Sequence, residues 1–289
     1  MSLHQITIIG SPDSWHGQAL ARAYQKCGIQ PHFVLAEHLQ ATLGTKASVG
    51  GDGVVLDQMD LVMVREVPGG SLEQVIYRMD ALHQLENAGV RLVNPPGAIE
   101  KMVDKYYASS LLQGAGLLTP ETVVTESYSE TLQAFHALGG DVVVKPLFGS
   151  RGVGMVRVQD AEIAGRVFKS LQLGGYVYYL QRFIPHFNQD IRLFMIGDEC
   201  ISAMTRVSEN WKSNISQGAA AQAYTPSEEE IKISIQAMKA VGAVYGGIDL
   251  LRGEDGQLYV LEVNSMPAWQ GLQQVTPFDI ADTLVEHFS

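Results

Sequence analysis

Three oxygen-bearing side chains near the C-terminus are spaced to hold a divalent metal. Asp249 falls in the apolar run Gly247-Ile248-Asp249-Leu250-Leu251, and Glu262 and Asn264 close the run Leu258-Tyr259-Val260-Leu261-Glu262-Val263-Asn264. Between them lies Glu254-Asp255-Gly256-Gln257, a turn signature, so the two runs read as a β-hairpin. Residues two apart on a strand point to one face, so Glu262 and Asn264 project together, and strand pairing brings Asp249 to them. Three hard oxygen donors on a rigid hairpin suit Mg²⁺ shared with substrate phosphates. An amphipathic hairpin with a merely polar outer face has the same pattern, so the balance rests on residues upstream.

Upstream, Lys145 ends the strand Asp141-Val142-Val143-Val144-Lys145, and a glycine-rich stretch follows from Gly149 through Ser150, Arg151 and Gly152 to Gly154. Met155 to Val158 is again strand-like. The glycine loop therefore joins strand to strand, unlike a Walker loop, which runs into a helix and ends in Gly-Lys-Ser/Thr. A hairpin flap with bare backbone N–H groups can lie over phosphates, with Lys145 as a point charge at its base. A plain turn has the same composition. Arg192 and Arg206 fall on a hairpin expected around Gly197-Asp198, followed by Trp211, Lys212 and Asn214. Sheet arginines are ordinarily solvated or paired, but guanidinium forks also bind oxyanions such as an acyl phosphate bidentately. Between these groups, Tyr176 to Pro185 is an aromatic strand and connection, able to offer backbone groups and apolar walls to a flat base. The small residues 219–223 read as a loop wall.

The elements that must position these residues follow from periodicity. Ile6 to Gly10 is a strand, Ser11-Pro12-Asp13-Ser14 a turn and cap, and a helix runs to about Cys27, with a second strand at 31–35. This βαβ opening suggests a doubly wound sheet. It lacks G-x-G-x-x-G and so is no dinucleotide fingerprint. Ser11 and His16 either bind an anion at this turn or simply cap the helix. A strand at 62–66 places Arg65 at its end, facing the later chemistry or solvent. Helices are expected at 71–87, 98–114, 129–138, 160–171, 227–241 and 276–288, and Pro95-Pro96-Gly97 marks a boundary.

Composition narrows the function classes. The 289 residues are 46% hydrophobic with a net charge of −11, which excludes nucleic acid as a bulk partner because no basic stripe supplies phosphate contacts. No run reaches membrane-spanning length and no signal peptide is evident, so a cytoplasmic location is expected, with no membrane partner. Cys27 and Cys200 stand alone and read as structural thiols in a reducing compartment.

Taken in order, the motifs resemble the ATP-grasp superfamily and, within it, the RimK-like carboxylate–amine ligases that add glutamate. The matching pieces are Asp104-Lys105, Lys145-Pro146 with the loop 149–154, Gln181-Arg182-Phe183-Ile184, Asp190-Ile191-Arg192, Arg206 with Trp211 and Asn214, Asp249, and Glu262-Val263-Asn264 with Pro267. They cover about residues 95–289. The resemblance implies an α/β fold, α+β in its catalytic part. A doubly wound pre-domain would occupy 1–95, a central lobe with the flap 96–185, and a C-terminal lobe with the metal site 186–289. It implies that Lys105 and Lys145 contact ATP phosphates and that Gly149, Ser150, Arg151, Gly152 and Gly154 close over them. Gln181, Arg182, Phe183 and Ile184 would line the adenine hinge. Arg192, Arg206 and Asn214 would surround the transferred phosphoryl group, and Asp249, Glu262 and Asn264 would hold two Mg²⁺ or Mn²⁺. Arg182 departs from the acidic residue often found there.

The implied reaction joins a small-molecule or peptide carboxylate to an amino acid, glutamate foremost, through an acyl phosphate. The tail 262–273 is similar to ligases acting on the folate-like carrier tetrahydromethanopterin, with Ala268 where those usually carry Gly. Family habit implies a homo-oligomer. A silent ATP-binding regulatory protein and a small-molecule kinase share the fold. The intact metal trio argues against the first, and the acidic composition against the second.

Overall fold

The computed structural model describes residues 5–45, 47–149, 152–215 and 218–289. Ser150 and Arg151 of the expected flap lie outside the described residues. The chain opens with β1 (Ile6–Ile9), α1 (Trp15–Lys26) and β2 (His32–Val34). Ser14 caps α1 by accepting from the Gly17 N–H at 3.0 Å, so capping accounts for this turn. Residues 36–58, for which the sequence suggested no element, form a small meander of β3 (Gln40–Thr42), β4 (Ser48–Gly51) and β5 (Val54–Val55). Asp57 pins it by accepting from Ser48 Oγ at 2.5 Å and the Val49 N–H at 2.9 Å. Strands this short carry too little alternation to be read locally.

Next come β6 (Leu61–Val64), α2 (Leu72–Asn87) and β7 (Arg91–Val93). The first sheet has the order β2-β1-β6-β7, all parallel. Every residue of β1 and β6 is buried, as inner strands of a sheet covered on both faces require.

The single helix expected over 98–114 is instead two, α3 (Pro96–Val103) and α4 (Lys105–Gly114). Asp104 leaves helical geometry at φ −87°, ψ 103°, and its carboxylate accepts from the Tyr107 N–H at 3.0 Å. An aspartate bonds its own backbone better as a cap than inside a helix. The break makes Lys105 the first residue of α4.

A second sheet, ordered β10-β9-β11-β8, is antiparallel throughout. It uses β8 (Thr122–Thr125), β9 (Val142–Lys145), β10 (Val156–Val158) and β11 (Tyr178–Arg182), with α5 (Tyr128–Ala137) and α6 (Ala161–Leu173) between them. Phe135, Phe168 and Tyr178 form its core with Val142, Val144 and Leu180. The strand-loop-strand reading of the glycine-rich stretch holds, because β9 and β10 pair directly.

The third sheet contains β12 (Gln189–Ile196), β13 (Glu199–Val207), β14 (Ala220–Ala223), β15 (Tyr245–Arg252) and β16 (Leu258–Asn264), with α7 (Glu228–Val241) before β15. Its order is β14-β13-β12-β15-β16, antiparallel. Residues 219–223 thus include an edge strand rather than a loop wall: all alanine except Gln222, the run offers no hydrophobic alternation, and pairing with β13 decides it. The period-2 pattern splits the sheet into two faces. Leu193, Met195, Ile248, Leu250 and Val263 pack under α3, α4 and α7. Arg192, Asp249, Glu262 and Asn264 alternate to the opposite face, which Phe194, Ile196 and Tyr245 cover at one end with α1 and the first sheet. Helices α8 (Gln270–Gln273) and α9 (Ile280–Phe288) close the chain, α9 burying Ile280, Leu284 and Val285 in that same cluster. No helix among the described residues is long and apolar enough to cross a membrane.

Candidate active site

The hairpin of β15 and β16 sets Asp249 opposite Glu262, and Gly247 opposite Asn264. The register shifts just beyond Asp249, so Leu261 is an extra residue in β16. Such a bulge twists the strand locally and re-aims its neighbour, here Glu262. The Asn264 side-chain N–H donates to the Gly247 carbonyl at 3.1 Å, and its Oδ1 has no hydrogen bond among the described residues. Among the described residues Glu262 forms its ion pair with Lys105, at 4.0 Å, and burial in the cleft raises its carboxyl above the usual range. Burial also opposes ionisation of Asp249, but Arg192 and Arg206 outweigh it and hold that carboxyl at about 2.

Both arginines are engaged. Arg192 forks onto Asp249, with Nη2 at 2.7 Å from Oδ2, and Nε bonds the other oxygen. Arg206 Nη2 lies 3.0 Å from Asp249 Oδ2. Arg206 also forks onto Asp190, Nε and Nη2 each at 2.6 Å, and Ser213 Oγ donates to the same carboxylate. Although burial disfavours its charge, Asp249 and Asp190 keep the Arg206 guanidinium protonated. Asp190 was legible only as part of a motif, with no role attached. Its signal is the pairing of Asp190 with Arg206 across β12 and β13.

At the other wall stand the lysines. Lys145 Nζ donates to Gln181 Oε1 at 2.5 Å, and desolvation in the cleft pulls its ammonium down to about 8. Gln181 Nε2 in turn donates to Thr122 Oγ1 at 3.1 Å. Lys105 Nζ donates to the Gly149 carbonyl at 2.7 Å, tying the root of the flap to α4. Gly152 and Gly154 adopt φ of 70° and 79°, a left-handed turn that side chains resist.

Lys105, Lys145, Gln181, Arg182, Phe183, Ile184, Arg206, Asn214, Asp249 and Glu262 line one cleft. Arg192 stands behind Asp249, while Asn264 and the flap glycines 149, 152 and 154 are not part of its lining. Phe183 forms a wall, with the Arg157 guanidinium 3.4 Å from its ring centroid and Trp211 edge-on at 6.3 Å. Arg182 points to the rim, where it pairs with Glu121 at 2.5 Å. That contact joins the hinge strand to the segment before β8.

The donor chemistry fits a divalent metal and a polyphosphate. Among the described residues no three His, Cys, Asp or Glu side chains converge as ligands, so the candidate set is two carboxylates and the Asn264 amide oxygen. Opposite them are two ammonium groups with no carboxylate in hydrogen-bonding range among the described residues, as an anion site requires.

The RimK-like ATP-grasp domain family matches residues 102–288. The chain belongs to that family. It is 31% identical to the tetrahydromethanopterin:alpha-L-glutamate ligase of Methanosarcina acetivorans, with 96% of each chain covered. It is 37% identical to the ligase of the same name from Methanocaldococcus jannaschii, over 80% of this chain and 79% of that one. Among solved structures, the ATP-grasp ligase PsnB complexed with its minimal precursor superposes with a TM-score of 0.79 at 24% identity, covering 99% of this chain and 98% of that one. A structure of the same ligase with minimal precursor, Mg and ADP gives 0.76 at 24% identity, covering 98% and 96%. The RimK-like ATP-grasp protein is thus an ATP-grasp ligase in fold from end to end.

Proposed function

We propose that this RimK-like protein is an ATP-dependent carboxylate–amine ligase that adds L-glutamate to a pterin-like small-molecule carboxylate. The observation that carries the reading is the facing of Lys105 and Lys145 by Asp249 and Glu262 across one cleft, with Asn264 two residues beyond Glu262 on the same strand. The glutamate ligases of similar sequence support the amine and the class of acceptor.

A carboxylate is a poor electrophile at neutral pH, and ATP, consumed as a substrate, converts it to an acyl phosphate that an amine can attack. In this reading Lys105 and Lys145 bind phosphate oxygens, and Phe183, Ile184 and Leu261 wall the base. Glu262, Asn264 and Asp249 hold two Mg²⁺ or Mn²⁺, which supply neutralisation of the γ-phosphate charge. Arg206, fixed by Asp190, keeps its remaining N–H groups toward the transferred group. Asn214 adds an amide donor on the same side. The flap, rooted at Gly149, excludes water that would hydrolyse the acyl phosphate.

The test is ADP release by the purified protein with Mg²⁺ and ATP, screened with glutamate against pterin, folate and peptide carboxylates, with mass spectrometry of products. Amine-dependent ADP release with a glutamate-sized mass gain is expected, and its loss in Glu262→Ala. ADP release without any amine requirement would indicate a phosphotransferase, and ATP binding without turnover a silent nucleotide binder.

A further inference from the structure

Arg65 leaves the C-terminal end of β6, next to the end of β1. From these adjacent strands the chain departs in opposite lateral directions, β1 toward β2 and β6 toward β7. The crevice beyond their ends is therefore a topological switch point, where open α/β sheets take their ligands. Gly10 lies beside the arginine, where a Cβ would sit 3.4 Å from the Arg65 Cβ, in van der Waals contact.

The guanidinium is held firmly but without a counter-charge. Nη1 donates to Tyr245 Oη at 2.7 Å and Nη2 to the Pro267 carbonyl at 3.0 Å. The group stacks on the Trp269 indole, 4.6 Å from its centroid. No carboxylate pairs with it among the described residues, in a chain of net charge −11. Its Nε–H is buried without an acceptor, and so is the indole N–H of Trp269 beneath it. Two stacked side chains, each with a donor left unpartnered among the described residues, mark a place suited to an acceptor. Each terminal nitrogen of Arg65 carries two N–H groups and uses one, which leaves each an N–H for a further acceptor such as a carboxylate.

The position relative to the cleft defines which carboxylate. A Cβ on Gly247 would touch both Pro267 Cβ at 2.8 Å and Arg192 Cδ at 3.3 Å. Arg65, Pro267, Gly247, Arg192 and Asp249 thus form one contiguous row, with Arg65 at the end away from the phosphoryl-transfer groups. We propose that Arg65 binds the carboxylate of the incoming amino acid and holds it apart from the carboxylate that is phosphorylated. This rests on the ligase reading above. In the second half-reaction the amine nitrogen bonds to the acyl carbon, the C–O bond to phosphate breaks, and phosphate leaves with that electron pair while the amine proton passes to solvent. The amino acid's own carboxylate must stay out of the acid subsite, or it would be phosphorylated instead. A dedicated arginine achieves this and makes the nucleophile an amino acid rather than a simple amine.

The test uses the full chain with AMP-PNP and Mg²⁺, titrated calorimetrically with L-glutamate and with each of its two monoamides. Arg65→Ala is expected to weaken glutamate roughly 10- to 100-fold, the value of a charged hydrogen-bond pair, and to leave AMP-PNP affinity unchanged. Arg65→Lys should fall between. In the wild type, one monoamide should bind as weakly as glutamate binds Arg65→Ala, an arm that needs no variant to fold. Glutamate affinity unchanged in Arg65→Ala, or parallel losses of glutamate and AMP-PNP, would make Arg65 a strut between the sheets and overturn the proposal. So would two monoamides that match glutamate in the wild type. The ligase reading fails separately, through absence of amine-dependent ADP release.

Discussion

The ammonium of Lys145 donates to Oε1 of Gln181 at 2.5 Å across the paired strands β9 and β11. Gln181 stands opposite Val143, two residues from Lys145, so both side chains share a face. The amide is neutral and leaves the charge for a ligand.

That relationship predicts proton uptake on nucleotide binding. Desolvation holds the Lys145 ammonium at about 8 in the free protein, below its ordinary 10.5. A bound phosphate favours the charged form and raises the value. Below pH 8 the lysine is already protonated and binding takes up nothing. Above 8, binding must bring a proton, so affinity falls as pH rises. Calorimetry of ADP binding at pH 9, in buffers of different ionisation heat, should show uptake of up to one proton, and Lys145→Met should abolish it. Equal apparent heats in all buffers would refute this assignment.

Arg206 joins Asp190 and Asp249, and all three are buried. Removing one carboxylate leaves a desolvated cation short of its counter-charge, a loss of about 3–5 kcal/mol. Asp190→Ala should therefore lower urea stability by about that amount and reduce kcat through a displaced Arg206. Asp190→Ala combined with Arg206→Met should recover part of the stability but none of the turnover. Additive losses in the double variant would contradict the coupling.

What the sequence disclosed follows from how local each signal is. The β15–β16 hairpin was legible because its alternation, its turn residues and its Glu262-x-Asn264 spacing all lie within twenty residues or so of chain. The strand-to-strand flap was legible for the same reason, and the order of motifs indicated the family. The ties of Arg192 and Arg206 were not, because Arg192 meets Asp249 fifty-seven residues away through a shared strand register. The split at Asp104 was hidden inside an otherwise continuous helical pattern. The β3–β5 meander is pinned by the side chains of Asp52 and Asp57, which no periodicity reports. Gln181, expected in the adenine hinge, lines the cleft, and no local pattern reports that its side chain bridges Lys145 and Thr122.

Of the two candidate metal carboxylates, Glu262 is the one bonded to no arginine among the described residues. Glu262→Gln preserves its shape and removes its charge. Outer ligand partners alone change metal affinity by about 10- to 100-fold, so a direct ligand should cost at least as much. Titration with Mn²⁺ followed by its paramagnetic resonance should show that loss, with the fold intact by circular dichroism. Unchanged Mn²⁺ affinity would remove Glu262 from the metal set.

Asn94 ties the first sheet to the third. Its Nδ2 donates to the Tyr245 carbonyl at 2.9 Å and the Ser265 carbonyl at 2.6 Å, and its Oδ1 accepts from the Val244 and Tyr245 N–H groups at 2.8 and 3.2 Å. The side chain is fully buried, so no water replaces it. Asn94→Ala strands four backbone groups at about 1–3 kcal/mol each if none re-pairs, and a net loss of about 3–5 kcal/mol is expected after relaxation. The same contacts fix the start of β15 and the loop after Asn264, so the damage should extend to the hairpin that carries Asp249. Hydrogen exchange should show β15 and β16 losing protection together with β7, while β9 to β11 in the second sheet keep theirs. Protection lost in β7 alone would mean that the first sheet does not brace the site.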